Sequence, residues 1–145
     1  MKIAIATDHN GVNEKKELIR LLSKYEFLDK SPVNTDTDDY PDFAFEVANS
    51  VVSKEADLGV LLCGTGIGMS IAANKVKGIR CGHCSTKEQA HLTKEHNHAN
   101  VIALSYKQDI NELAEMIAEF IETAPSTEER HQRRVDKIMN YEIGA

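Results

Sequence analysis

The chain has 145 residues, of which 41% are hydrophobic and 28% charged, an ordinary globular composition that argues against disorder, a collagen-like repeat or a disulfide scaffold. Its 17 Lys and Arg against 23 Asp and Glu leave a net charge of −6, so it lacks the basic surface that general nucleic-acid binding needs. No apolar run approaches the roughly 20 residues of a membrane span, the first apolar stretch is too short for a secretory signal, and three cysteines, an odd set, suit a reducing cytoplasm.

Short apolar runs alternate with helix-period stretches along the chain. Residues 3–7 read as a strand buried on both faces. A helix over 15–24 follows, with Leu18, Leu21 and Leu22 on one face and Lys and Glu on the other. Residues 26–29 form a weaker strand, and 34–39 are the most polar loop, the segment best suited to motion. Phe43, Val47, Ser50 and Val51 mark a second helix, and 58–63 a second strong strand. Helices over 67–76, 87–96 and 110–121 alternate with strands over 79–84 and 101–104. A last helix spans roughly 126–141, opened by Ser126-Thr127-Glu128-Glu129 as a capping box. Five strand–helix alternations predict parallel strands joined by crossovers. The expected fold is α/β, a doubly wound three-layer α/β/α sandwich with about five strands, one domain over 1–145.

In such a sheet, ligands sit beyond the carboxyl ends of the strands. Asp8, His9, Asn10 and Gly11 follow the first strand, and Cys63 stands at the end of the third. Gly64-Thr65-Gly66-Ile67-Gly68 comes next and opens a helix, so its backbone N–H groups can approach an anion. The spacing G-x-G-x-G is neither the dinucleotide fingerprint nor a Walker loop. A tight turn without a ligand is the plain alternative. Cys63 reads either as a thiol activated at a helix start, able to act as base or nucleophile, or as a small buried hydrophobe. Asp8-His9 reads either as a carboxylate–imidazole pair at the ligand edge or as part of a helix cap.

Two further groups stand out. Cys81 and Cys84, with His91, His96 and His98, invite a zinc or dithiol reading. Against it, Cys81 falls inside a strand, and His91 and His96 are at the wrong step for one helix face. Arg130 and Arg134 share a face of the last helix and could clamp a phosphate, or could pair with Glu128 and Glu129 in solvent. The segment 91–100 precedes the fifth strand, so it lies at the end of the sheet opposite Cys63. Chemistry that uses both ends needs a second copy of the chain.

Taken together, Asp8-His9-Asn10-Gly11, Asp39-Tyr40-Pro41, Cys63-Gly64-Thr65-Gly66-Ile67-Gly68, Ala72-Ala73-Asn74-Lys75, Gly78-Ile79-Arg80, His96-Asn97, Asn100-Val101 and Arg130-His131-Gln132-x-Arg134 fall in a characteristic order. This pattern resembles the ribose-5-phosphate isomerase B family, which groups with the galactose-6-phosphate isomerase subunits. The likeness runs over nearly the whole chain. It implies a Rossmann-like fold and an aldose–ketose isomerase that interconverts ribose 5-phosphate and ribulose 5-phosphate through an enediolate, with no metal and no cofactor. It implies a homodimer with shared active sites, with room for a dimer of dimers.

By resemblance, Cys63 is the base that moves the proton and His96 opens the furanose ring. The N–H groups along Gly64, Thr65, Gly66, Ile67 and Gly68 match the hole for the enediolate, with the Thr65 side chain beside it. Asp8 and Asn97 match holders of sugar hydroxyls, Tyr40 a residue lining the sugar, and His9, Arg130 and Arg134 phosphate ligands. Lys107 stands where the family usually has another phosphate-binding arginine, a point charge in place of a fork. His98 replaces an acidic residue, Ser105-Tyr106 a glycine-containing turn, and Cys81 and His83 are unusual in their strand. The alternatives are an isomerase of allose or galactose 6-phosphate, a non-catalytic phosphosugar or nucleotide sensor, and a zinc or dithiol protein.

Overall fold

The apolar runs are strands of one parallel sheet in a computed structural model that describes residues 1–144. The strands are β1 (Lys2–Thr7), β2 (Glu26–Asp29), β3 (Leu58–Cys63), β4 (Cys81–His83) and β5 (Val101–Ser105). The helices are α1 (Val12–Leu21), α2 (Tyr40–Val52), α3 (Ile67–Ala73), α4 (Lys87–Asn97), α5 (Ile110–Glu122) and α6 (Glu129–Glu142). The spatial order is β2-β1-β3-β5-β4, and every neighbouring pair is parallel. β2 lies to one side of β1 and β3 to the other, so the crossover direction reverses at β1 and β3.

Strand alternation sorts the core into two layers. Ile3, Ile5, Leu58, Val60, Leu62, Ile102 and Leu104 face a layer that includes Leu18 of α1, Ala90 of α4 and Leu113 and Phe120 of α5. Ala4, Ala6, Leu61, Cys63, Val101 and Ala103 face the other way, against Ala44 and Val47 of α2 and Met69 and Ala72 of α3. One face of the sheet is thus built of large side chains and the other is rich in alanine. α6 packs on α4 and buries His131 and Val135. The three-layer α/β/α sandwich with five parallel strands is the expected fold.

Several boundaries differ from the expected ones, each for a local reason. α1 begins at Val12, three residues early, and Leu21 is exposed. The polar residue Lys15 occupies an inward position that periodicity assigns to solvent. It is 2% exposed, and its Nζ donates to Asp29 Oδ1 at 2.9 Å and to the Ser31 carbonyl at 2.7 Å. β4 is shorter than expected because the Asn100 side chain takes over its first rungs. Asn100 accepts from the Arg80 N–H through Oδ1 and donates to the Gly78 carbonyl through Nδ2. α6 begins at Glu129, so Ser126 makes no capping box. Its hydroxyl accepts from the Glu128 N–H in a turn before the helix. β2, the weak strand, is an edge strand, which explains its half-polar sequence.

Removing the Lys15 ammonium leaves the Ser31 carbonyl without its donor, while the Asp29 carboxylate keeps the Ser31 N–H at 2.9 Å. Lys15→Ala is expected to destabilise the fold by about 2 kcal/mol, read as a lower urea midpoint with an unchanged m-value.

Candidate active site

Register brings the candidate groups to one edge. Thr7 pairs with Leu62, and Cys63 pairs with Ser105, so β1, β3 and β5 end side by side. The residues that follow them, Asp8-His9, Gly64-Thr65 and Tyr106-Lys107, therefore meet at the point where the crossovers diverge, the usual ligand position in such sheets.

Cys63 is buried, and its Sγ accepts the N–H of Gly66 at 3.1 Å. The loop can bend back this way because Gly66 has φ of 82°, in the left-handed region, where an L side chain would be strained. A Cβ there would also lie 2.9 Å from the His83 ring. His83 ends β4 and its Nε2 bonds the Thr65 carbonyl at 2.9 Å, so it braces the loop from outside. Tyr40, at the first turn of α2, closes the other flank. Its ring is packed so closely on Gly68 that a Cβ there would lie 2.6 Å away. The N–H groups of Thr65 and Gly68 have no protein acceptor among the described residues. They remain open donors beside the sulfur.

Asp8 does not cap α1, whose N-cap is Gly11 without a side-chain bond. Its Oδ1 instead accepts the Asn10 N–H at 3.0 Å, which turns the chain and leaves the carboxylate at the edge. His9 is held by Asp38, whose Oδ1 accepts from Nδ1 at 2.7 Å and from the His9 N–H at 3.1 Å. That hydrogen bond raises the His9 pKa and keeps the imidazolium to higher pH. Burial pushes the Asp38 carboxyl up, but hydrogen bonds from Asn34, His9 and Thr35 outweigh it and hold it low. The polar loop over 34–39 is therefore tied to the site through Asp38. The Lys107 stem passes the loop, its Cε 4.0 Å from where a Gly64 Cβ would stand. Lys107 forms no ion pair among the described residues.

His96, Asn97, Arg130 and Arg134 form a second group at the other end of the sheet. α4 leads into Val101, which pairs with Gly59, four residues before Cys63 and about 13 Å away along β3 at the usual strand rise. The His96 ring stacks on His131, with centroids 4.2 Å apart and planes 9° from parallel. Burial and the neighbouring His96 lower the His131 pKa. The end of α4 is clamped by Arg80, whose Nε donates to the carbonyls of Asn97 and His98 at 3.1 Å. His98 adopts a left-handed φ of 49°, and its Nε2 bonds the Ser126 carbonyl, which sets the entry to α6. Arg130 pairs with Glu128 at 3.0 Å, and Arg134 is exposed with no ion pair among the described residues. Asn97 lines a cleft of about 390 Å³ with Asn74, Cys81 and Ile138.

The histidine and cysteine cluster does not converge. Cys81 packs with the alanine-rich face and Cys84 with the large-residue face, on opposite sides of the sheet. Burial raises the thiols to about 12 and about 11. His91 bonds Glu95 and Thr123, and His98 bonds Ser126. No group of three or more His, Cys, Asp or Glu able to hold a metal occurs among the described residues.

Sequence reasoning gave no site role to three residues of the cradle edge: Asp38, and His83 and Tyr106, which it noted only as departures from the family pattern. Each carried a signal. His83 and Tyr106 lie at or just past strand ends, and Asp38 sits in the most polar loop.

The fold and these edge groups define an α/β protein with a small-ligand site at the switch point of its sheet. Residues 3–138 match the family described as Ribose/Galactose Isomerase. A Bacillus subtilis protein provisionally named a sugar phosphate isomerase is 46% identical over 98% of this chain and 97% of its own length. Ribose-5-phosphate isomerase B of Escherichia coli is 41% identical over 97% of this chain and 96% of its own. The crystal structure of ribose-5-phosphate isomerase B from Mycoplasma genitalium with bound ribulose 5-phosphate superposes with a TM-score of 0.90 at 40% identity, covering 99% of this chain and 97% of that one. This chain belongs to the ribose/galactose isomerase family.

Asp38→Asn replaces the carboxylate whose hydrogen bond and charge raise the His9 pKa. The imidazole is expected to titrate at lower pH, followed by NMR. Anion binding that uses the imidazolium is full below that pKa and lost as pH rises through it, so the loss should begin at lower pH in the variant.

Proposed function

We propose that the protein is a ribose-5-phosphate isomerase, interconverting ribose 5-phosphate and ribulose 5-phosphate without a metal or cofactor. The observation that carries this reading is the Cys63 sulfur held at 3.1 Å from the Gly66 N–H, beside open backbone donors and the Asp8 carboxylate. The proton alpha to a sugar carbonyl is weakly acidic, so its removal needs a base together with a preformed site for the resulting negative charge. As thiolate, Cys63 takes the proton from one carbon and returns it to the next. Loop N–H groups and Thr65 stabilise the enediolate between those steps. Asp8 and Asn97 hold sugar hydroxyls, and Tyr40 lines the sugar.

Ring opening by His96 requires a second copy, because His96 and Cys63 lie at opposite ends of one sheet. The phosphate ligands are divided in the same way, His9 and Lys107 near Cys63 and Arg130 and Arg134 near His96. A homodimer with shared sites unites both sets, and pairs of dimers are compatible with it. The exposed Ile67 and Ile71, one turn apart on α3, give such a partner an apolar footing beside the loop. Binding the remote phosphate supplies orientation that need not act at the reacting bond. This role places the chain, as one domain over 1–145, in the pentose phosphate pathway of the cytoplasm, where its three unpaired cysteines stay reduced.

A coupled assay with ribose 5-phosphate in excess chelator is expected to show full turnover. Cys63→Ala should lower kcat about 1000-fold while ribulose 5-phosphate still binds. Undiminished activity in that variant would refute the role of the sulfur. Mixing Cys63→Ala with His96→Ala chains should restore about a quarter of wild-type activity, because half the dimers are mixed and each carries one intact site.

A further inference from the structure

Tyr106 is a polar side chain at the cradle to which no role has been given above. It directly follows β5, and its N–H donates to the Cys63 carbonyl at 3.1 Å. The preceding Ser105 hydroxyl donates to the Gly64 carbonyl at 2.8 Å and accepts the Lys107 N–H at 3.2 Å. These bonds fasten the turn to the first residues of the glycine loop, so the Tyr106 side chain has little freedom to swing away.

The ring then lies across the site. Its Cδ2 would be 2.6 Å from a Cβ at Gly11, so the ring lies close against the Gly11 backbone. Its hydroxyl is 3.7 Å from where a Gly64 Cβ would stand. Asp8, Asn10 and Cys63 are its charged and polar neighbours, and burial first, then the Asp8 charge, push the phenol up to about 12. At that value it stays protonated across the neutral range and acts as a hydrogen-bond donor.

The ring packs at the margin of the large-residue layer, but that packing does not require a hydroxyl at the Asp8 and Gly64 edge. Here the polar end reaches that edge, between the group that moves the proton and the group that holds sugar hydroxyls.

We propose that Tyr106 is a specificity-determining residue that contacts the sugar, its phenol wedged between Gly11 and Gly64 so that the Cys63 side of the cradle admits a five-carbon chain and excludes a longer one. The proposal rests on the isomerase reading. With the phosphate anchored at fixed cationic groups, an added CHOH unit must be accommodated along the chain, and the phenol occupies the wall where it would bulge.

Three proteins test this: the unaltered chain, Tyr106→Phe and Tyr106→Ser, each assayed with ribose 5-phosphate and allose 6-phosphate. Tyr106→Ser opens the wall and is expected to shift the ratio of kcat/KM values at least about tenfold toward allose 6-phosphate. Tyr106→Phe keeps the wall but loses the donor. It is expected to keep the size preference and raise KM for ribose 5-phosphate about fivefold, with kcat little changed. A purely structural role would lower stability without moving that ratio or KM. An unchanged ratio in a folded, active serine variant overturns the proposal. If the serine variant does not fold, an unchanged KM in the phenylalanine variant overturns it instead. Absence of turnover by the unaltered chain would sink the isomerase reading itself, an outcome distinct from either.

Discussion

Parallel pairing of β3 with β1 on one side and β5 on the other is the constraint from which the site follows. Because Thr7 is level with Leu62 and Cys63 with Ser105, three chain segments leave the sheet at one edge. A slip of one residue in either ladder would turn Cys63 from the alanine-rich face to the opposite one. The sulfur would then lose the Gly66 N–H, and the loop would lose its brace from His83. The chemistry of the edge is thus decided by hydrogen-bond register in the buried sheet beneath it.

The same geometry explains why a single chain is only part of a catalyst under the proposed reading. A crossover helix starts at the ligand edge and returns the chain to the far end. α4 does this, and it carries His96 and Asn97 away from Cys63. α6 then packs beside it through His131, so its arginines belong to the far group as well. No side-chain motion spans a sheet, but a two-fold pairing of identical chains can set one end against the other.

How much was legible in the sequence differs by element. The strong strands β1, β3 and β5 were, because strands buried on both faces are apolar almost throughout and are bounded by polar or glycine residues. The cradle was, because Gly64-Thr65-Gly66-Ile67-Gly68 directly follows such a strand. The starts of α3, α4 and α5 fall where the sequence puts them, at Ile67, Lys87 and Ile110, whereas those of the first and last helices do not. Lys15 is polar by type but buried in place, and its inward role depends on Asp29 and Ser31, which come from another element. Ser126 has the residue types of a capping box, yet its N–H donates to the Glu95 carbonyl and its carbonyl accepts from His98, so the helix starts later. The bracing role of His83 and the pairing of Asp38 with His9 were hidden for the same reason: both are contacts between segments distant in sequence. The cysteine pair misleads in the opposite sense. Its spacing suggests a joint site, while the alternation of a strand sends its members to opposite layers.

The alanine-rich face has an implication of its own. α2 and α3 rest on the fully buried Ala4, Ala6 and Ala103, whereas the opposite layer is built of large Ile, Leu and Val side chains. Enlarging any of these three alanines would lift α3, and with it Gly66 and the donors above the sulfur. Sequence drift in this protein is therefore expected to be lopsided. The Ile and Leu layer can be repacked at little cost, while the thin layer acts as a shim whose thickness sets the alignment of the reacting groups.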